Sequence, residues 1–172
     1  MKLTWFGGTT LRLHIGGKII VADPATIGGV GLAELTSGAD RVFRLHDDLP
    51  TVDARRWQPR RVPTLLNETE EPDVLVHRLA PTAVLVDAVG EPPLLVATGA
   101  VPAAGRWGNN AIVVVLGPDH ASTATAALEA LTPRLIAVAS DAAAVDSVLA
   151  SMGGRLDGAG FMTLEPGLAL EV

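Results

Sequence analysis

The chain contains no cysteine at all, so neither a disulfide framework nor thiolate catalysis is open to it. Aromatic residues are scarce, at 3% of 172 residues. Positive charge is also short: 13 Lys and Arg stand against 19 Asp and Glu, a net charge of −6. With a pI near 5.1, that balance argues against nucleic acid or an anionic membrane as partner. No apolar run approaches the length needed to span a bilayer, Ala111 to Leu116 being typical. No leader precedes the first strand-like stretch, since Met1-Lys2-Leu3-Thr4-Trp5-Phe6 runs straight into it. A cytoplasmic protein is expected.

What is abundant is aliphatic residue. Hydrophobic residues make up 48% of the chain and the mean hydropathy is +0.36. The length suits one domain, residues 1–172, with a core that needs no covalent staple. A surplus of apolar surface beyond that core points to burial by a second subunit, so a homo-oligomer or a related protein subunit is expected.

Along the chain, short strands are predicted at Thr4–Phe6, Leu11–Ile15 and Ile19–Ala22, separated by Gly7-Gly8 and Gly16-Gly17. Leu32–Leu35 reads as one helical turn, and Arg41–Leu45 as a return to the sheet. His14 falls on the polar phase of its strand and is expected to be solvated. From Asp53 to Pro72 the pattern is weak; Arg55, Arg56, Arg60 and Arg61 surround Trp57, with Glu68, Glu70 and Glu71 behind them. Local pairing of those arginines is the expectation, rather than a phosphate site.

Further strands are predicted at Val74–His77, Ala83–Val86, Leu94–Ala97 and Ala111–Leu116. A helix then opens at Asp119 with Ala121, Ala124, Ala127, Leu128 and Leu131 on one face and stops at Pro133. His120, in its first turn, is expected to be exposed. After a strand at Leu135–Ala139, Ser140 is read as the cap of a second helix carrying Val145, Val148, Leu149 and Met152, and strands follow at Phe161–Leu164 and Leu168–Leu170. Strands alternating with helices here imply right-handed crossovers and a partly parallel sheet. Many strands with few helices give the expected class: α/β, a compact four-layer αββα sandwich.

Three stretches carry chemistry. Leu3-Thr4-Trp5-Phe6-Gly7-Gly8 ends a strand, Ile19-Ile20-Val21-Ala22-Asp23-Pro24 ends another, and Arg44-Leu45-His46-Asp47-Asp48-Leu49-Pro50-Thr51 is a strand-end loop. Together they resemble the metallo-β-lactamase fold superfamily, in its branch of small metal-dependent hydrolases similar to ascorbate-6-phosphate lactonase. That resemblance implies a strand ending in Trp-Leu-Gly-His, a strand ending in Asp-Pro, and a His-x-His-x-Asp-His loop holding two metal ions. Here His46 matches the loop's first histidine, but Asp48, Pro50 and Thr51 stand at its other ligand positions. Gly8, Gly99 and Ala139 stand where a histidine, the bridging aspartate and the last histidine are implied.

Glycine, alanine and proline side chains offer no donor atom, so a dinuclear site is excluded on chemistry. His46 and Asp48, joined by His77, could at most hold one weak metal for a residual hydrolase. The expectation is therefore no metal and no cofactor, no catalytic residue, and a former active-site cleft lined by Trp5, Asp23, His46, Asp48 and Gly99. Asp23 is read as scaffold, accepting backbone N–H bonds from an adjacent loop. The Gly28-Gly29-Val30-Gly31 run lacks the context of a phosphate cradle, and no Gly-x-Ser-x-Gly elbow exists.

Overall fold

The alternation Leu11, Leu13, Ile15 against Thr10, Arg12, His14 gives β2 (Thr10–Ile15) one apolar face. It lies between β1 (Lys2–Gly7) and β3 (Lys18–Ala22), both antiparallel to it. β4 (Arg41–Phe43) joins β3 in parallel, and β11 (Ala169–Glu171) closes on the other edge of β1. The result is a five-stranded sheet in the order β11-β1-β2-β3-β4. A computed structural model describes residues 1–60, 73–156 and 158–172, with Ala142 and Ala143 described by backbone alone. Arg61, Glu68, Glu70 and Glu71 therefore lie outside the described residues.

The second sheet has six strands in the order β10-β9-β8-β7-β6-β5. β5 (Leu75–Ala80), β6 (Ala83–Asp87) and β7 (Leu94–Ala97) form an antiparallel meander. β8 (Ile112–Val115), β9 (Leu135–Ala139) and β10 (Gly160–Leu164) continue it in parallel. α2 (His120–Leu131) links β8 to β9, and α3 (Ala142–Met152) links β9 to β10. Every residue of β6 through β9 is buried, as strands covered on both faces require.

Two apolar layers follow from this. Leu3, Leu13, Ile20, Val84, Val96 and Val114 meet between the sheets. Leu85, Leu95, Val113, Leu128, Leu131 and Met152 meet between the second sheet and its helices. Over the first sheet's outer face the fourth layer is one turn, α1 (Leu32–Leu35), with Leu35 buried. Arg12, on the outward phase of β2, holds it by donating to Leu35 O at 2.7 Å and Ser37 O at 2.9 Å. The αββα order is thus present, with its outermost layer reduced.

Several boundaries move from the sequence reading. β4 stops at Phe43 because Arg44–Asp47 turns instead, the Asp47 carboxylate accepting from Arg44 N–H at 2.7 Å. α3 is capped by Asp141, not Ser140: Asp141 Oδ1 accepts from Ala144 N–H at 2.9 Å. The last strand sits one residue later, at Ala169–Glu171.

The weak 53–60 region is mostly solvated, as expected, but is anchored to the body of the protein at Ala54 and Trp57. Trp107 Nε1 donates to Ala54 O at 2.6 Å, and Trp57 meets Trp107 edge-on at 5.0 Å. A Cβ on Gly105 would stand 2.6 Å from Arg55 O, so the two segments touch backbone to backbone. Arg56 pairs locally with Asp53 at 3.7 Å, as expected, whereas Arg60 reaches 27 residues on to the buried Asp87 at 2.7 Å.

Leu13 is fully buried between the sheets. Leu13→Ala should lower unfolding free energy by about 2–5 kcal/mol, read from the urea midpoint at unchanged slope.

Candidate functional site

The strand ends nearest the His46 loop are gathered by one residue. Asp23 follows β3 with φ 50, a left-handed conformation uncommon outside glycine. Four bonds fix it there. Its N–H donates to Phe43 O at 2.8 Å and its carbonyl accepts from Thr10 Oγ1 at 2.8 Å. One carboxylate oxygen accepts from Thr9 Oγ1, and the other accepts from Leu45 N–H at 3.3 Å. The β1–β2 turn, the end of β3 and the loop after β4 are thereby tied together.

Beside that knot lies a cleft of about 650 Å³, walled by Trp5, Gly8, Thr9, Gly117, Pro118, His120, Ala139, Ser140, Asp141 and Ala144. It opens at the C-terminal ends of β8 and β9, where open α/β sheets place their ligands. Trp5 is largely buried, with its indole N–H on Gly8 O at 3.0 Å. His120 is half-buried rather than exposed: its Nε2 lies 2.8 Å from Ala139 O. A carbonyl only accepts, so Nε2 carries the hydrogen and Nδ1 is the acceptor side. Ser140 is 7% exposed, and its hydroxyl is buried with no hydrogen-bond partner. A hydroxyl left that way costs about 1–3 kcal/mol.

Of the five residues expected to line the cleft, Trp5 does and Asp23 reaches it through Thr9, while His46, Asp48 and Gly99 are not on its wall. His46 and Asp48 lie exposed on the loop that Arg78 clasps by donating to Leu45 O at 2.6 Å and Asp47 O at 2.8 Å. Gly99 faces a different neighbour: a Cβ there would stand 3.1 Å from Thr82. Thr82 of the adjoining hairpin thus occupies the space beside Gly99.

His77 pairs in register with Leu85, whose side chain belongs to the helix-side core, so His77 points to the face opposite the inter-sheet layer. Its Nδ1 is buried and unpartnered. Burial holds its imidazole below the usual pKa; Asp87 pulls the other way, and Arg60 and Arg41 push it down further.

The fit to a metal centre fails on these positions. Among the described residues no group of three or more His, Asp or Glu side chains is placed to hold an ion, and the trio His46, Asp48 and His77 is not brought together. His120, Ser140 and Thr9, which do wall the cleft, were missed in sequence as site residues. The available signal was their place just beyond strand ends, Thr9 after β1, His120 after the β8 loop and Ser140 after β9.

Two sequence-level comparisons found nothing: no family model matches this chain, and no curated protein matches it. A structural likeness exists to a Thermotoga maritima protein proposed to be a Zn-dependent hydrolase of the metallo-β-lactamase superfamily. It covers 96% of this chain and 99% of that one, with a TM-score of 0.51 at 14% identity.

Two measurements check this geometry. Asp23→Ala should cost about 1–3 kcal/mol of stability through its lost bonds and its conformation. For His77, the folded state holds its proton less tightly than the unfolded chain. Stability should therefore fall as pH drops below the unfolded value of 6.5, until the lower folded value is passed. His77→Gln should flatten that part of a urea-midpoint profile against pH.

The shared architecture is what this likeness establishes: the chain has the fold of the metallo-β-lactamase superfamily.

Proposed function

We propose that the protein is a non-catalytic, metal-free relative of the metallo-β-lactamase-like hydrolases that binds a small organic molecule in the cleft beside Trp5, His120 and Ser140. The supporting observation is the pairing of two facts about the same strand ends. The implied donor positions carry Gly8, Gly99 and Ala139, and the cleft nonetheless remains, about 650 Å³ in size, within the range of ligand pockets. The indole of Trp5 offers a flat apolar wall. The Ser140 hydroxyl, buried behind the wall and left unpartnered by the fold, gains a hydrogen bond when its side chain turns toward a molecule in the cleft. His120 Nδ1 offers a second polar point. Localisation in the cytoplasm is part of this reading; no helix among the described residues is long and apolar enough to cross a membrane.

The competing class is a residual hydrolase with one metal on His46, Asp48 and His77. The exposed placement of the first two and the opposite-face placement of the third weigh against it.

Elemental analysis of protein grown with zinc and manganese separates the two. Substoichiometric metal, unchanged in His46→Ala, is expected; stoichiometric metal lost in that variant would favour the hydrolase. For the cleft, a metabolite panel screened by ligand-observed NMR should yield binders that Ala144→Leu weakens by about tenfold or more. Ala144 is on the wall and only half-buried, so the substitution fills space without cutting into the core. Binders indifferent to Ala144→Leu and Ser140→Val would overturn the assignment.

A further inference from the structure

The six-stranded sheet ends on β10, which pairs with β9 on one side and with no strand among the described residues on the other. The unpaired edge is apolar. Of the five large hydrophobic residues exposed among the described residues, Met162 (41%), Leu149 (42%) and Leu168 (61%) border it. Met162 lies on β10 itself. Leu168 shares a cleft wall with Thr163 and Val145, and Leu149 follows Val145 by one turn on the same stripe of α3. Solvated edges are normally blunted by charge, proline or shortness. β10 has five residues, Gly160-Phe161-Met162-Thr163-Leu164, with none of these devices.

Its free backbone groups can be assigned. Gly160 N–H is given to Arg134 O at 2.8 Å, inside the sheet. In a parallel ladder the bonds to one neighbour come from alternate residues, so Gly160, Met162 and Leu164 face β9. Phe161 and Thr163 direct their N–H and C=O groups outward.

We propose that the protein is a two-fold homodimer joined through β10, the two strands pairing antiparallel about Met162 so that one sheet runs through both copies. In that register Phe161 lies opposite the second copy's Thr163, and Thr163 opposite its Phe161. These are the residues whose backbone groups face outward, and such pairs exchange both bonds. Met162 meets its own symmetry mate at the closer, non-bonded position, where the exposed thioethers bury each other.

The charges agree with this orientation. The C-terminal end of β10 is acidic, with Glu165, Asp141 and Asp146 around one cleft. The N-terminal end carries Arg134, exposed beside Gly160. Antiparallel pairing lays the acidic end of each copy against Arg134 of the other. Glu165 falls opposite the second copy's Ala159, and Leu164 opposite its Gly160, small residues that leave room for both. An interface that is its own complement is what a two-fold axis demands.

Light scattering after size exclusion, at micromolar protein, should give the mass of a dimer. Met162→Lys places two like charges together at the axis and should raise the dimer Kd by about a hundredfold or more; Met162→Glu should do the same. An equimolar mixture of the two variants should regain dimer mass, because the charges are then opposite. Thr163→Pro removes an outward N–H and no bond to β9, and should also give a monomer. Amide exchange on the unaltered protein is an independent reading: Phe161 and Thr163 amides should gain protection as concentration rises. A monomeric wild type, a dimer indifferent to these variants, or no concentration dependence at those two amides would overturn the proposal.

Discussion

Much of this molecule hangs on the bonds of one carboxylate, that of Asp23. Asp23 joins three segments that the chain delivers separately, the β1–β2 turn through Thr9 and Thr10, β4 through Phe43, and the following loop through Leu45. Each bond is modest alone, near 1 kcal/mol net, but all act on one residue in a conformation that a free chain rarely visits. A short side chain with two acceptor oxygens is what the position needs: it reaches both neighbours and tolerates the left-handed backbone. The same residue type would serve a metal centre equally well. Its presence is therefore a statement about the frame.

The strand ends are closed on one side and open on the other. A Cβ on Gly99 would stand 3.1 Å from Thr82. His46 and Asp48 lie in a solvated turn that Arg78 holds through Leu45 O and Asp47 O. On the other side, under the start of α2 and α3, a cleft is left open. Small residues stand at its rim, Gly117 and Pro118 from the loop before α2 and Ala144 from α3, which keeps that space clear among so many aliphatic side chains.

The strands and helices were legible in the sequence because their signals are local. Gly-Gly pairs mark the turns, alternation marks β2, and the spacing Ala124, Ala127, Leu128, Leu131 marks the buried face of α2. The errors came from partners far away in the chain. His120 reads as an exposed first-turn residue until the carbonyl of Ala139, 19 residues on, is placed beside it. The 53–60 segment is solvated as it reads, but its anchor is invisible until Trp107 reaches Ala54 across 53 residues. Ser140 and Asp141 can both cap a helix by type, and only the local backbone decides between them. Of the arginines, Arg56 finds its local carboxylate, Asp53, while Arg60 goes to Asp87, 27 residues away, which no local signal indicates.

The order of strands in the first sheet has a bearing on how the chain is made. β1 leaves the ribosome well before its neighbour on one side, β11, paired through Lys2 with Glu171 and Thr4 with Ala169. The whole second sheet is synthesised between the two. Throughout that interval the nascent chain carries a strand with one flank unpaired, a state that invites wrong neighbours. Closure of so long a loop is not itself very expensive, since the entropy grows only with the logarithm of length. The hazard is one of waiting time, and it is confined to translation.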